Sequence, residues 1–488
     1  MVSACQQGLA DSQPIYLLLL RCVRPERAKS GLGLRARLPA SGLAIRRLHE
    51  PLISVILLPV TDPSHRMRQF RFLALLGPGL MLAATGVGAG DLAGAAFAGM
   101  NLGVAVLWAV AVGAFFKFVI TEGLARWQLA TGTTLLEGAV LRLGPVVRWF
   151  FLTYLLVWSF GVGASLIAAC GVAAHASIPI FESATTGKIV FGVIHSLIGL
   201  GLVWLGSFRL LERLMAILVA VMVVVVLITG VLIGPDWPAV ARGLFIPKVP
   251  DHPEGIAWTL ALMGGVGGTL TVLCYGYWIR EKNRESASDL KTCRLDLGAS
   301  YALMALFGFA VVIIADGLQL SGKGATLLID LADRVGEVTH PALETIFLAG
   351  AWAAVFSSLL GVWQSVPYLF SDFWNLHRQN KALDPDNFEP YRVDTKGWSY
   401  RGFLVGLSLV PILGLRYDFQ LVQKANSVFG AFVMPMLAMA LLLLNSRKAW
   451  VGESMKNRWW TAAALVIVLV FFGWVGFPKL IAALGIGA

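Results

Sequence analysis

Long apolar stretches separated by short polar loops make up most of the chain after residue 70. A helix of about 20 apolar residues is long enough to cross the hydrocarbon core of a bilayer. The pattern predicts eleven such spans, at residues 72–98, 102–127, 147–172, 187–206, 209–234, 256–280, 297–316, 343–374, 399–416, 420–445 and 459–478. The predicted fold class is therefore an all-α polytopic membrane protein.

The first and sixth spans share a glycine-rich interruption near their middle, in GPGLMLAATGVGAGDLAGAAFAG (Gly77–Gly99) and LALMGGVGGTLTVLCYGYWIRE (Leu260–Glu281). Paired, broken segments in corresponding positions point to a transporter with its substrate site between two inverted repeats. The sequence then divides into a first repeat, 72–234, a second repeat, 256–445, and an extra helix, 459–478. The alternative is that the glycines form close-packing helix faces without unwinding.

Composition and charge agree with membrane insertion. With 57% hydrophobic and 14% charged residues, the chain is not expected to be a soluble globule. Basic residues such as Arg280, Lys282 and Arg392 are concentrated in the loops that follow even-numbered spans, which places those loops and the N-terminus in the cytoplasm. The net charge of +11 thus reflects topology in the plasma (inner) membrane, and no nucleic-acid partner is expected.

The first 66 residues differ from the rest, since they are rich in arginine and carry only short apolar runs. They are interpreted either as a basic cytoplasmic or targeting segment or, preferably, as an artificial extension of a membrane domain that starts at Met67 and covers 67–488. The five cysteines show no CxxC pair, so neither a disulfide framework nor a zinc site is indicated.

The break in the first span offers a candidate cation site. Gly86, Gly88 and Gly90 lower the cost of unwinding, and the carbonyls that unwinding frees, those of Gly88, Ala89 and Gly90 among them, are candidate oxygen ligands. Asp91 follows directly. An ionised aspartate at mid-membrane needs a cationic partner, and a hard metal ion bound by carboxylate and carbonyl oxygens is one such partner. Alternatively, Asp91 caps the half-helix that follows.

In the sixth span, Gly268 is followed by Thr269 and Thr271, whose hydroxyls are candidates for the rest of the coordination shell. An ordinary hydrogen bond between helices explains these threonines equally well. Asp91 and Thr269 are the principal predicted metal ligands.

The chain resembles the Nramp family of divalent-metal transporters across nearly all of residues 72–488. The resemblance rests on GPG at Gly77–Gly79, LARWQLATG at Leu124–Gly132, GLFIPKVP at Gly243–Pro250 and LNSRKAWVGESMKNRWW at Leu444–Trp460. It implies a leucine-transporter-like 5+5 inverted repeat with broken helices 1 and 6, and a divalent cation bound between them.

The motifs that carry chemistry in that family differ here. Where family members have DPGN this chain has GAGD, so the carboxylate moves to Asp91, and the family's MPH falls on Thr269–Thr271. Loss of the methionine thioether shifts the predicted preference towards harder ions, Mg²⁺ or Mn²⁺, with Fe²⁺ also considered.

Other family positions also change. The two helix-3 acids of the family align with Val162 and Ser165, so transport without the usual proton relay is expected. Near a family glutamine in the tenth span, Asn426 is the preferred candidate ligand. In the second span, Lys117 and Glu122 are interpreted as snorkelling side chains or an internal pair.

The predicted function is secondary transport of a divalent cation by alternating access, with the metal as substrate and no cofactor. The alternative is a leucine-transporter-like carrier of an amino acid or organic cation, in which Asp91 pairs with a substrate ammonium. A third hypothesis is a membrane sensor without flux. Neither a nucleotide-binding loop nor a GxSxG motif is present, so no enzyme is expected, and the oligomeric state is left open.

Overall fold

The computed structural model describes residues 77–88, 90–319, 324, 326–379, 388, 390 and 392–476. All of them belong to the unit Arg68–Ala488. The predictions for residues 1–66, for the start at Met67, for Ala89 and for the end of the last span lie outside the described residues.

Within these ranges the secondary structure is helical, with no strand. The α-helices are α1 Gly77–Gly86, α2 Ala95–Leu102, α3 Leu107–Thr131, α4 Leu135–Leu143, α5 Pro145–Ser177, α6 Ala184–Leu205, α7 Phe208–Leu232, α8 Trp237–Phe245, α9 Gly255–Gly265, α10 Tyr275–Glu281, α11 Leu290–Ala315, α12 Leu327–Val338, α13 Pro341–Arg378, α14 Trp398–Leu409, α15 Phe419–Ala431, α16 Val433–Asn445, α17 Lys448–Met455 and α18 Trp459–Phe471. Short 3₁₀ segments cover Gly103–Val106, Leu270–Cys274, Ala287–Asp289 and Val410–Arg416, and single π turns cover Gly90–Gly94 and Phe472–Gly476.

The predicted membrane character is confirmed. Nine helical segments in the described part of the chain are long and apolar enough to cross a bilayer, and Trp459–Trp474 is a shorter apolar helix. The first predicted span does not count separately, because α1 has only 10 residues and the rest of that span is grouped with α3 as Asp91–Thr131. The difference from eleven therefore arises largely from the break in the first span and the short last helix.

Local sequence signals account for several helix ends. Gly132 ends α3 in the left-handed conformation with φ 73°, which glycine adopts without a Cβ clash. Thr134 and Glu137 form a reciprocal capping box at the start of α4. The side chain of Ser207 accepts a bond from the Leu210 amide and starts α7.

The two longest helices, α5 and α13, pack against each other at the centre of the described bundle. Around them, α6 lies against α5, α7 lies against α13, and α11 contacts both α1 and α3. One face of α7 is exposed and apolar, and its residues recur at helical spacing: Ile217, Val221, Val224, Ile228 and Val231. Such a stripe is what a lipid-facing helix requires, and it leaves the opposite face of α7 for packing.

Candidate substrate site

The first span is interrupted where the glycines predicted it. Helix α1 ends at Gly86, and Val87 and Gly88 form a turn. The Gly88 amide donates to the Gly86 carbonyl at 2.9 Å, and the chain re-enters helical structure through the π turn Gly90–Gly94. The interruption thus separates α1 from α2 within one membrane segment, as broken-helix transporters require.

The sixth span breaks more sharply. Helix α9 ends at Gly265, and Gly267 and Gly268 have φ values of 78° and 79°. A side chain is strained at such positive φ, so two successive glycines make this turn possible. The segment continues as the 3₁₀ stretch Leu270–Cys274 and then as α10.

The two breaks touch each other. A Cβ atom added to Gly86 would lie 2.8 Å from the Gly267 carbonyl carbon and 2.9 Å from the Gly268 nitrogen. Across the same contact, the Asp91 carboxylate accepts the Gly267 N–H, with oxygen–nitrogen distances of 3.1 and 3.3 Å. Asp91 is fully buried. The first span is therefore tied to the sixth through backbone atoms and one carboxylate.

A small cavity lies beside this contact, with a volume of about 30 Å³. That is room for one or two water molecules. Its wall is formed by five membrane segments and contains Thr85, Gly86, Trp158, Val162, Ser165, Leu166, Gly265, Gly268, Thr269, Thr271, Ser358, Val362, Asn426 and Ser427. None of these residues is charged, and none carries sulfur or imidazole. The wall thus offers hydroxyl, amide and carbonyl oxygens only.

Hydrogen bonds hold part of this wall in place. The Trp158 indole N–H donates to the Thr269 hydroxyl at 2.8 Å. The Ser165 hydroxyl donates to the Gln423 side-chain oxygen at 2.6 Å, and the Asn426 amide reaches Ser165 at 3.4 Å.

Two other wall hydroxyls are unpaired. Among the residues that the structure describes, the side-chain oxygens of Thr271 and Ser427 are buried without a hydrogen-bond partner. Leaving a buried hydroxyl unpaired costs about 1–3 kcal/mol, so these two atoms favour a ligand in the cavity.

The structure brings together some of the predicted site residues and separates others. Gly268, Thr269, Thr271 and Asn426 lie on the cavity wall. Asp91 does not: its carboxylate lies behind the break of the sixth span, on the Gly267 amide.

The remaining glycines of the first break have other positions. Gly88 packs against Ser358, where a Cβ atom would come within 2.1 Å of the hydroxyl oxygen. Gly90 begins the π turn. Within the described ranges no group of three or more His, Cys, Asp or Glu side chains is arranged to hold a metal ion. The ligand role of Asp91 stays a prediction.

Lys117 is the residue that the sequence interpretation placed wrongly. It is neither snorkelling nor paired with Glu122, because it lies near the middle of α3 and is fully buried. Its ammonium donates to the carbonyls of Gly264 at 2.6 Å, Val266 at 2.5 Å and Gly268. The signal that could have identified this position is the presence of a lysine in the centre of an apolar helix.

Glu122 belongs to a separate ionic cluster at one end of the bundle. Its carboxylate pairs with Arg126 at 2.8 Å and with Arg294 at 2.7 Å. Nearby, Asp296 accepts bonds from Arg284 at 2.9 Å and from the Gly79 amide at 2.9 Å. These contacts connect α11 to α3, to α1 and to the loop after α10, away from the cavity.

Known proteins are similar to this chain across nearly the whole membrane region. A family model described as natural resistance-associated macrophage protein-like (Nramp) matches residues 79–477. The chain is 26% identical over 416 residues to divalent metal cation transporter MntH 1 of Pseudomonas aeruginosa, covering 81% of this chain and 88% of that protein. It is 23% identical over 421 residues to the MntH of Deinococcus radiodurans, covering 83% and 89%.

Solved structures share the fold. The manganese transporter of Eremococcus coleocola superposes with a TM-score of 0.65 at 17% identity, covering 86% of this chain and 87% of its own. MhsT, solved in complex with L-phenylalanine, superposes with a TM-score of 0.51 at 16% identity, covering 84% and 98%. The predicted leucine-transporter-like arrangement with broken helices 1 and 6 is confirmed.

Proposed function

The chain belongs to the Nramp family, and from that premise we propose that it is a secondary transporter that moves a divalent metal cation across the membrane by alternating access. The two bacterial relatives described above are named divalent metal cation transporters. Their similarity spans more than four fifths of this chain, so the proposal concerns the whole membrane domain. The proposed protein is a carrier in the plasma membrane and not an enzyme.

The observation that carries the proposal is the oxygen-lined cavity where the two broken spans meet. Thr271 and Ser427 present unpaired hydroxyls there. Thr269 accepts one bond from Trp158 and keeps a second lone pair, and Asn426 adds an amide. Oxygen ligands without sulfur or imidazole favour hard cations, so we propose Mn²⁺ and Mg²⁺ ahead of softer metals.

In this structure the carboxylate of Asp91 lies beside the cavity without lining it. Its carboxylate is held by Gly267, one residue from Gly268 on the cavity wall. Direct ligation by Asp91, as the sequence predicted, requires the carboxylate to leave the Gly267 amide in another state of the transport cycle. The neutral wall positions Val162 and Ser165 support transport without the family's helix-3 proton relay.

The alternative substrate class, an amino acid or organic cation, has less support. The cavity of about 30 Å³ has room for a small ion or one or two waters, and an amino acid would require it to widen in another state of the transport cycle. The resemblance to MhsT concerns the fold alone at 16% identity.

Uptake into proteoliposomes tests the proposal. Saturable entry of Mn²⁺ or Mg²⁺ is expected without acidification of the lumen. Thr271→Val and Ser427→Ala remove the unpaired wall hydroxyls with little change in volume. Each is expected to raise the KM several-fold, since one lost ligand contact corresponds to about 1–1.5 kcal/mol.

Ser159→Ala is the matched control. Its hydroxyl is also buried without a partner, but Ser159 does not line the cavity, so uptake should be unchanged. Absence of saturable uptake of both ions by well-folded protein would overturn the proposal. Binding of the metals without flux would instead support the sensor hypothesis.

A further inference from the structure

The ammonium group of Lys117 lies among backbone carbonyls at the break of the sixth span. The residue is fully buried, and it approaches the break from α3. An isolated buried ammonium is costly, because burial removes its hydration. The chain offsets this cost with three main-chain carbonyls that the unwinding of the sixth span leaves without helical partners.

The bonding pattern is complete for a lysine. An ammonium has three protons, and the carbonyls of Gly264, Val266 and Gly268 accept one each. Converging backbone carbonyls in unwound helices replace the hydration shell of small cations in channels and transporters. The ammonium thus lies where a monovalent ion would find oxygen ligands.

Asp91 balances this charge from the other broken span. Its carboxylate accepts the N–H of Gly267, which lies between two of the residues whose carbonyls accept from Lys117, Val266 and Gly268. The three ammonium protons are used on carbonyls, so its attraction to Asp91 acts through space. Together the two side chains bring no net charge to the contact between the first and sixth spans.

We infer that the Lys117 ammonium is a protein-borne cation that fills a carbonyl site for a small monovalent ion in the sixth span, with Asp91 as its counter-charge. This site is separate from the cavity proposed for the metal, although Gly268 borders both. The inference goes beyond the proposed function: it holds whether or not a divalent metal is the cargo. It implies that the native protein needs no Na⁺ to hold its two broken spans together.

Truncation of the lysine tests the inference. Lys117→Ala leaves Asp91 and three carbonyls without a cation, so Na⁺ should bind there. The purified full-length variant in detergent is expected to melt several degrees higher in NaCl than in choline chloride of equal concentration, since a ligand that binds only the folded state raises Tm. The native protein should melt at the same temperature in both salts.

Two controls identify the origin of the effect. Lys188→Ala removes another buried lysine, bonded to the Tyr417 carbonyl at 2.9 Å, and should gain no dependence on Na⁺. The double variant Lys117→Ala/Asp91→Asn carries neither charge and should lose the dependence seen in Lys117→Ala.

Other results would overturn the inference. A folded Lys117→Ala with equal Tm in both salts excludes a cation site. If Lys117→Ala does not fold in either salt, Lys117→Met/Asp91→Asn should restore folding, and its failure would refute the role of Asp91 as counter-charge. The readout uses Na⁺ and no divalent metal, so it is independent of the uptake experiment.

Discussion

Gly86 shows how a single residue controls the approach of the two broken spans. The Gly267 and Gly268 backbone lies where a Cβ atom of residue 86 would be, at 2.8 and 2.9 Å. Backbone atoms cannot swing aside as a flexible side chain can. Gly86→Ala is therefore expected to lower stability by about 1–3 kcal/mol, the usual cost of overpacking, and to abolish uptake by separating the breaks.

Gly201→Ala provides the comparison, because a Cβ atom at this position of α6 would meet nothing within 4 Å. Thermal melting and metal uptake of the two variants should differ clearly, with Gly201→Ala close to the native protein. Equal behaviour of both would contradict the tight contact at Gly86.

At the scale of single residues, the sequence identified polar residues of the cavity wall but not the partner of the buried carboxylate. Thr269, Thr271 and Asn426 were expected near the substrate, and all three line the cavity. The partner of Asp91 was not foreseen, because the lysine that balances it comes from another span, 26 positions further along the chain. Only the packing of α3 against α9 brings these residues to one break.

Among the elements, Asp296 connects α1, α10 and α11 through hydrogen bonds. Its carboxylate accepts the Gly79 amide at 2.9 Å, the Tyr275 hydroxyl at 3.1 Å and the Arg284 guanidinium at 2.9 Å. Asp296→Ala removes all three of these hydrogen bonds and breaks the buried ion pair with Arg284, and breaking such a pair typically costs about 3–5 kcal/mol. A fall in Tm in detergent would measure this loss.

An exposed ion pair in the same region gives the contrast. Arg392 and Glu285 are 71% and 60% exposed and pair at 2.9 Å. Removal of such a surface pair changes stability by about 0–1 kcal/mol. Glu285→Ala should therefore leave Tm almost unchanged. A fall in Tm as large as that of Asp296→Ala would contradict the view that the buried contacts of Asp296 stabilise this region more than the exposed ion pair does.

The elements themselves were largely predictable, because apolar length and glycine content determine where a membrane helix begins and breaks. Both interruptions occur within the predicted glycine stretches. The short α2 and the π turn before it were not predicted, since their geometry depends on contacts with α9 and α15 rather than on local sequence.

For the whole molecule, the distribution of basic residues predicts the orientation. The loop after α7, around Asp236, should be outside, and the loop before α14, around Thr395, should be inside. Alkaline phosphatase fused after Asp236 in a bacterial host is expected to be active, and the same enzyme fused after Thr395 inactive. The opposite pattern would reverse the predicted topology.

The neutral wall of the cavity has a bioenergetic consequence. The ion held there finds no charged side chain on the wall, and the nearby pair of Lys117 and Asp91 has no net charge. In the proposed transport cycle, a divalent ion that meets only this neutral wall crosses with its charge uncompensated. Each charge moved through the membrane potential is worth about 2.3 kcal/mol per 100 mV, so the proposal implies that an interior-negative potential draws the metal inward.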